Sequence, residues 1–305
     1  MSRRGISKLG LPKRKHDPSH STDRDGGRIH FETFEEVREE DRLRVRSTRA
    51  SARERYTNWD FDFVPGHEGQ YDPLSQLLLH GFDGDPQPSC ASKIWMRDRR
   101  RALAGGLWRL QQKYELDERF FVIMPRCWEI PSDELLGFDP RRIIKPFRAM
   151  LQHYGSDLAD GYLFAGIDGE FYEPKSVFRL HLQGIATGGM IEVVERLRKT
   201  RKFKPTGVPK SGRKRTVLQM KRVNNRPEPY TYAMKSSWFV NSYLCPEKGK
   251  EVRLRKPRRI PDPHQGRYLH WLDQWPLKDL TVMVGVRVGK KGLAYPSGES
   301  NRNEK

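Results

Sequence analysis

His181 and Gln183 stand two residues apart, between leucines, in the run FRLHLQGIA at 178–186. An extended chain turns alternate side chains to opposite faces, so Phe178, Leu180 and Leu182 share one face and Arg179, His181 and Gln183 the other. An imidazole nitrogen and an amide oxygen side by side become two thirds of a cation site if an acid joins them. The preceding run supplies candidates. Gly161 to Phe171 is linked to Val177 to Ala186 by Tyr172-Glu173-Pro174-Lys175-Ser176, the turn chemistry of an antiparallel hairpin. A turn near Pro174-Lys175 lays Asp168 opposite His181, and Ile167 or Gly166 opposite Gln183. Glu170 shares the face of Asp168; Glu170 and Glu173 are the fallback acids. Asp168, His181 and Gln183 then form an incomplete shell for Mn2+ or Mg2+, with positions left for phosphate oxygens and water. His181 by itself is more often a satisfied structural histidine than a ligand.

The second cluster is Tyr230, Tyr232 and Lys235 in YTYAMKSSWFVNSY, residues 230–243. Two prolines just before it suit a helix start, and the run reads as a helix. On a helix Tyr232 and Lys235 share a face while Tyr230 points nearly the opposite way, so only Tyr232 accompanies the lysine. A lysine one turn from a phenol stabilises the phenolate or holds the phosphate it attacks. A packing tyrosine beside a solvated lysine is the plainer interpretation of an isolated Tyr-x-x-Lys.

The elements that must hold these residues follow from periodicity. Residues 89–116 place Ile94, Leu103, Leu107, Leu110 and Tyr114 at helical intervals, with Ser89 as cap and Gly105-Gly106 as a weak point. Phe120 to Met124, ended by Pro125, reads as a central strand, and Arg141 to Tyr154 as a helix with Ile144, Phe147, Met150 and Leu151 on one face. A helix with Ile191, Val194 and Leu197 on its face, a basic loop over 199–215 and a strand over 216–223 come next. A short aromatic helix lies around Tyr268 to Trp275, followed by the strand LTVMVGVRV. From residue 119 the order is strand, helix, strand, strand, helix, strand, helix. It predicts an α+β fold: a central antiparallel sheet with helices packed mainly on one face and an open, metal-binding face on the other.

The His-Leu-Gln-Gly of residues 181–184 on a strand, followed by a helix, a strand and then Tyr232-x-x-Lys235, resembles the second and third motifs of the HUH endonuclease superfamily, in particular rolling-circle replication initiators of small plasmids and of circoviruses and nanoviruses. The similarity covers roughly residues 119–243, and the family's first motif would fall on Phe121 to Pro125. The resemblance implies that His181, Gln183 and, by hairpin register, Asp168 hold the metal, and that Tyr232 is the nucleophile with Lys235 beside it. It implies attack on single-stranded or hairpin origin DNA, a 5′-phosphotyrosine intermediate and later religation. One usable tyrosine implies one nick and one transfer per site.

Composition bounds these expectations. The 305 residues carry 58 Lys and Arg against 39 Asp and Glu, a formal charge of +19 that favours a polyanionic partner. Arg179 on the ligand face and Lys210, Arg213, Lys214 and Arg215 in the basic loop are candidate backbone contacts. Trp238, Phe239 and Tyr243 are candidates for base stacking, although aromatic residues on a helix more often form core. The stretch Gly207 to Lys214 imitates a phosphate-binding P-loop but has Arg213 where lysine belongs and no Ser or Thr after it. No nucleotide-driven helicase is encoded, so a host helicase would have to unwind the duplex. Cys90, Cys127 and Cys245 form no CxxC pair, which suits a reducing, cytoplasmic setting; no apolar stretch is long enough for a membrane. The chain divides into a disordered basic arm at 1–55, an extension with an amphipathic helix at 56–118, the endonuclease-like core at 119–245, a C-terminal extension at 246–290 and a disordered tail at 291–305. The competing functional readings are a nucleic-acid-binding module without catalysis, as in RNA-recognition folds, and a transposase using the same tyrosine centre. The His-Gln face, lacking paired aromatics, favours metal chemistry over the former.

Overall fold

The computed structural model describes residues 24–25, 28–29, 32–57, 72–84, 86–204, 216–223, 230, 232–235, 237–240, 243–244, 252–253, 258–289 and 292–295. In chain order the helices are α1 Phe34–Thr57, α2 Pro73–His80, α3 Lys93–Tyr114, α4 Arg141–His153, α5 Met190–Arg196 and α6 His264–Asp273. The strands are β1 Arg24–Asp25, β2 Arg28–Ile29, β3 Glu118–Ile123, β4 Glu129–Pro131, β5 Leu163–Tyr172, β6 Val177–Thr187, β7 Leu218–Arg222, β8 Phe239–Val240, β9 Tyr243–Leu244, β10 Val252–Arg253, β11 Thr281–Val284, β12 Arg287–Gly289 and β13 Gly292–Ala294.

The main sheet runs β11-β5-β6-β3-β7, with β4 on β6 and β8 on β5. All its pairings are antiparallel except β5 with β8. Its spine is the long hairpin β5–β6, closed by a 3-10 turn at Glu173–Lys175 and by Ser176 in the left-handed region at φ 51°. The mixed α+β architecture expected from the sequence is present. Phe178, Leu180 and Leu182 are fully buried on one face. On that side Phe147 of α4 approaches Phe121 at 6.4 Å, and Trp238 lies between Phe178 and the α6 residues Tyr268 and Trp271.

The other face is not open as expected. Phe164 and Ile185 on it are fully buried, and Asp168, His181 and Gln183 are each more than nine-tenths buried. The neighbouring Tyr162 hydroxyl meets the Leu107 carbonyl of α3 at 3.5 Å.

The terminal regions also depart from expectation. Residues 34–55, assigned to a disordered arm, lie within α1, which opens on a capping box: Glu36 N donates to Thr33 Oγ1 at 3.2 Å and Thr33 N donates to Glu36 Oε2 at 2.9 Å. Its inward stripe is Val37, Asp41, Arg44, Val45, Thr48 and Ala52, all buried. The Asp41 carboxylate accepts from Lys93 N, Ile94 N and Ser92 Oγ at 2.7–3.1 Å, satisfying the first turn of α3. Ser92, not Ser89, caps that helix, accepting from Trp95 N at 3.1 Å. The helix continues through Gly105-Gly106, and Gly106 admits a close approach, since a Cβ there would lie 2.8 Å from Leu293 of β13. Residues 292–295, assigned to a disordered tail, carry β13 and Tyr295, whose hydroxyl accepts from Gly161 N at 2.8 Å.

Candidate metal centre and tyrosine turn

The β5–β6 register pairs Asp168 with His181 and Gly166 with Gln183. It brings the three side chains expected to share a site into contact. His181 Nε2 lies 3.3 Å from Asp168 Oδ2, and Gln183 Nε2 donates to the same oxygen at 2.7 Å. Asp168 Oδ1 accepts from Gly169 N at 2.8 Å, which fixes the carboxylate's orientation. His181 Nδ1 is buried with no hydrogen-bond partner among the described residues, and a buried polar nitrogen left so is costly. Gly184, the last residue of the motif, is there for packing: a Cβ would sit 2.0 Å from the Phe164 carbonyl oxygen.

The chain crosses this cluster again at Tyr232. Gln183 Nε2 also donates to the Tyr232 carbonyl at 2.5 Å, and Lys235 N closes a turn onto the same oxygen at 3.2 Å. Gly166 makes room for the crossing, since a Cβ there would lie 2.7 Å from the Ala233 carbonyl oxygen. Of the helix expected over 230–243, Tyr230 and Tyr232 are helical among the described residues, but the helix does not continue. After this single turn the chain extends into β8, where Phe239 and Val240 pair in parallel with Glu170 and Phe171. The stacking of Trp238 on Tyr268, ring centroids 4.5 Å apart, outweighs the run's helical pattern. One turn nonetheless suffices to put Lys235 beside Tyr232: its Nζ lies 5.7 Å from the Tyr232 ring centroid and 4.5 Å from that of Phe239. The two tyrosines have opposite surroundings. Tyr232 is 47% exposed and Tyr230 1%.

The donor set fits a hard divalent cation in type, with one nitrogen, one carboxylate and one amide oxygen. The 3.3 Å between His181 Nε2 and Asp168 Oδ2 is close to the roughly 3 Å that separates adjacent ligands of an octahedral ion at about 2.1 Å. Gln183 would present Oε1 by turning its amide. Among the described residues no group of three or more His, Cys, Asp or Glu gathers as a metal site, so the candidate depends on Gln183 as the third donor.

The remaining sequence candidates separate from this centre. Arg179 is not a free cation on an open face. Its side chain is 11% exposed, its Nε is 3.1 Å from Glu129 Oε1, and its guanidinium lies 3.6 Å over the Tyr172 ring. The fallback acids face elsewhere: Glu170 lies 3.8 Å from Arg179 Nη1, and Glu173 accepts from Arg258 Nη2 at 2.9 Å. Trp238 is buried core rather than a stacking platform. Lys210, Arg213, Lys214, Arg215 and the Tyr243 side chain lie outside the described residues.

Sequence reasoning missed the groups that flank the tyrosine turn. Tyr230 Oη donates to Glu118 Oε2 at 2.6 Å. Burial, with a smaller contribution from Asp117, pushes the Glu118 carboxyl up to about 8, against the pull of the Tyr230 bond. Burial and the Glu118 charge raise the Tyr230 phenol well above its ordinary range. On the other flank Ser237 Oγ accepts from Lys93 Nζ at 3.0 Å and from Arg44 Nη2 at 3.2 Å. No local pattern links residues so far apart in sequence; the one available signal was a glutamate heading a strand that, past Arg119, is apolar.

No family model, curated protein or solved structure matches this chain. Among the described residues no helix is long and apolar enough to cross a membrane.

Proposed function

We propose that the chain is a metal-assisted single-strand DNA endonuclease and strand transferase of the HUH replication-initiator type. The observation that carries this reading is the meeting of Asp168, His181 and Gln183 around one carboxylate oxygen with the Tyr232 main chain bonded to the same Gln183 amide. A cluster and a candidate nucleophile 49 residues apart in sequence share one side chain as hinge.

Each side chain has a chemical task. Tyr232 Oη attacks the scissile phosphorus in line; the bond from phosphorus to the 3′ oxygen breaks, and that oxygen leaves as a hydroxyl once protonated. The product is a 5′-phosphotyrosine ester, which retains the bond energy needed for a later 3′-hydroxyl to reseal the strand. A phenol ordinarily ionises near about pH 10, so its deprotonation needs help. The Lys235 ammonium, packed against Phe239 and beside the Tyr232 ring, stabilises the phenolate and the phosphate charge. Asp168, His181 and Gln183 would hold Mn2+ or Mg2+, which when bound neutralises and polarises the phosphate. Asp168, fixed by Gly169 N, orients His181 Nε2; before an ion binds, Gln183 ties that pair to the nucleophile's main chain, a bond that turning its amide onto the ion would release. The half-exposed Tyr232 ring is the side from which a strand would approach, and the excess of positive charge favours an anionic one. A host helicase is the expected partner for unwinding.

The test is incubation of the full chain with Mn2+ and single-stranded oligonucleotides tiled across hairpin sequences beside its own coding region. A nick with covalent attachment, abolished in Tyr232→Phe and at most slowed in Tyr230→Phe, is expected. Adduct persisting in Tyr232→Phe contradicts the assignment.

A further inference from the structure

The turn that carries Tyr232 and Lys235 is bracketed by two buried side-chain contacts, neither belonging to the Asp168 cluster. Two residues before Tyr232, the Tyr230 hydroxyl donates to Glu118 at the head of β3, with Tyr230 1% and Glu118 5% exposed. Two residues after Lys235, the Ser237 hydroxyl accepts from two buried cations, Arg44 of α1 and Lys93 at the start of α3. Those cations are themselves fastened: Arg44 Nη1 donates to the Ala91 carbonyl at 2.6 Å and its Nε to Glu40 at 3.1 Å, while Lys93 Nζ meets Glu32 at 2.6 Å. Each buried cation has a carboxylate partner of its own, Glu40 for Arg44 and Glu32 for Lys93, and both also reach the one serine hydroxyl. Burial and the neighbouring Arg100 bring the Lys93 ammonium down to about 8. Two cations so fastened, converging on one serine, fix where that serine sits.

We infer that Glu118 with Tyr230, and Arg44 and Lys93 with Ser237, are positioning residues that clamp the Tyr232–Lys235 turn from both sides over Asp168, His181 and Gln183. The role in catalysis rests on the reading of Tyr232 as nucleophile; the clamps themselves do not. The inference makes α1 and the N-terminus of α3, both outside residues 119–243, part of the machinery. The turn carries a main-chain bond from Lys235 N to Tyr232 O and follows directly on the helical residues Tyr230 and Tyr232. Anchors at residues 230 and 237 remove most of its freedom, and a displacement of about 1 Å at a reacting group can cost on the order of 100-fold in rate.

Two measurements on the full chain separate the clamps from the chemistry. The first is hydrogen exchange at the Lys235 amide in wild type, Ser237→Ala, Ser237→Thr and Tyr230→Phe. Ser237→Ala and Tyr230→Phe are each expected to accelerate exchange at least about 10-fold, with Ser237→Thr, which keeps the hydroxyl, close to wild type. Unchanged exchange in both hydroxyl deletions overturns the clamps whatever the protein's activity. The second is single-turnover attachment to an oligonucleotide, alongside its dissociation constant. The deletions are expected to slow attachment about 10-fold or more with affinity held within about 2-fold, and Ser237→Thr to recover the rate. Equal losses in affinity and rate, or no recovery by threonine, overturn a positioning role. A wild-type chain that never attaches overturns the nucleophile reading, while the exchange result still decides the clamps.

Discussion

Replacing Glu118 by glutamine is expected to make the protein more stable as pH rises. Glu118 is 5% exposed, one carboxyl oxygen accepts from Tyr230 and the other is buried with no hydrogen-bond partner among the described residues. Burial raises its pKa from 4.5 to about 8. Below pH 4.5 the group is protonated in both folded and unfolded chains and costs nothing. Between 4.5 and about 8 the unfolded chain has released the proton and the folded chain retains it, so folding must take one up. Stability present below the lower value is therefore lost as pH climbs, by about 1.4 kcal/mol per unit. The window, 8 − 4.5 = 3.5 units, sets a ceiling of about 5 kcal/mol, and relaxation around the carboxylate leaves a few kcal/mol as the expected size. Glutamine is neutral throughout, and its carbonyl can still accept the Tyr230 hydroxyl. Urea unfolding of both proteins at pH 5, 6, 7 and 8 gives the difference directly. Lys93, lowered from 10.5 to about 8, acts in the window above pH 8 with opposite sign and is common to both chains. The curves are expected to diverge in favour of Glu118→Gln by at least about 2 kcal/mol from pH 5 to pH 8. Parallel curves refute the buried, protonated carboxyl.

Two other substitutions read separate parts of the structure. In Gly166→Ala the new methyl meets the Ala233 carbonyl oxygen, a backbone atom, at 2.7 Å; the tyrosine turn should lift by several tenths of an ångström, covalent attachment slow on the order of 10-fold and the thermal midpoint fall. Asp41→Ala strips three donors at the start of α3 and leaves Arg44 with less compensation; a loss of about 3–5 kcal/mol, seen as a lowered urea midpoint, is expected.

The hairpin and its register were legible because alternation and turn chemistry together leave a strand pair little choice: a one-residue slip would bury Arg179 and His181 in the apolar layer. The same logic found Asp168 opposite His181. Arg179 was misjudged because Glu129, which claims its guanidinium, comes from β4, a three-residue strand with no signature of its own. α1 was read as an arm because much of its buried stripe is polar: Asp41, Arg44, Ser47, Thr48 and Ser51 look like solvent-facing residues until α3 and Ser237 meet Asp41 and Arg44, and Gly266 of α6 packs on Ser47 and Ser51. The helix expected over 230–243 stops after Tyr232 for a tertiary reason. Trp238 is worth more against Tyr268 and Trp271 than on a helical stripe, and that placement draws Phe239 and Val240 onto the edge of β5. The expected distinction between the two tyrosines, by contrast, needs only one turn, and they do differ: one is half-exposed beside Lys235, the other is bonded to Glu118.

The most direct measurement is peptide mapping by mass spectrometry after wild-type chain is incubated with Mn2+ and a cleavable single-stranded oligonucleotide, then digested with nuclease and protease. A nucleotide remnant on the Tyr232 side chain, joined through a 5′ phosphate, is the expected result. A remnant on Tyr230 or any other residue, or complete cleavage with no remnant on the protein, contradicts it.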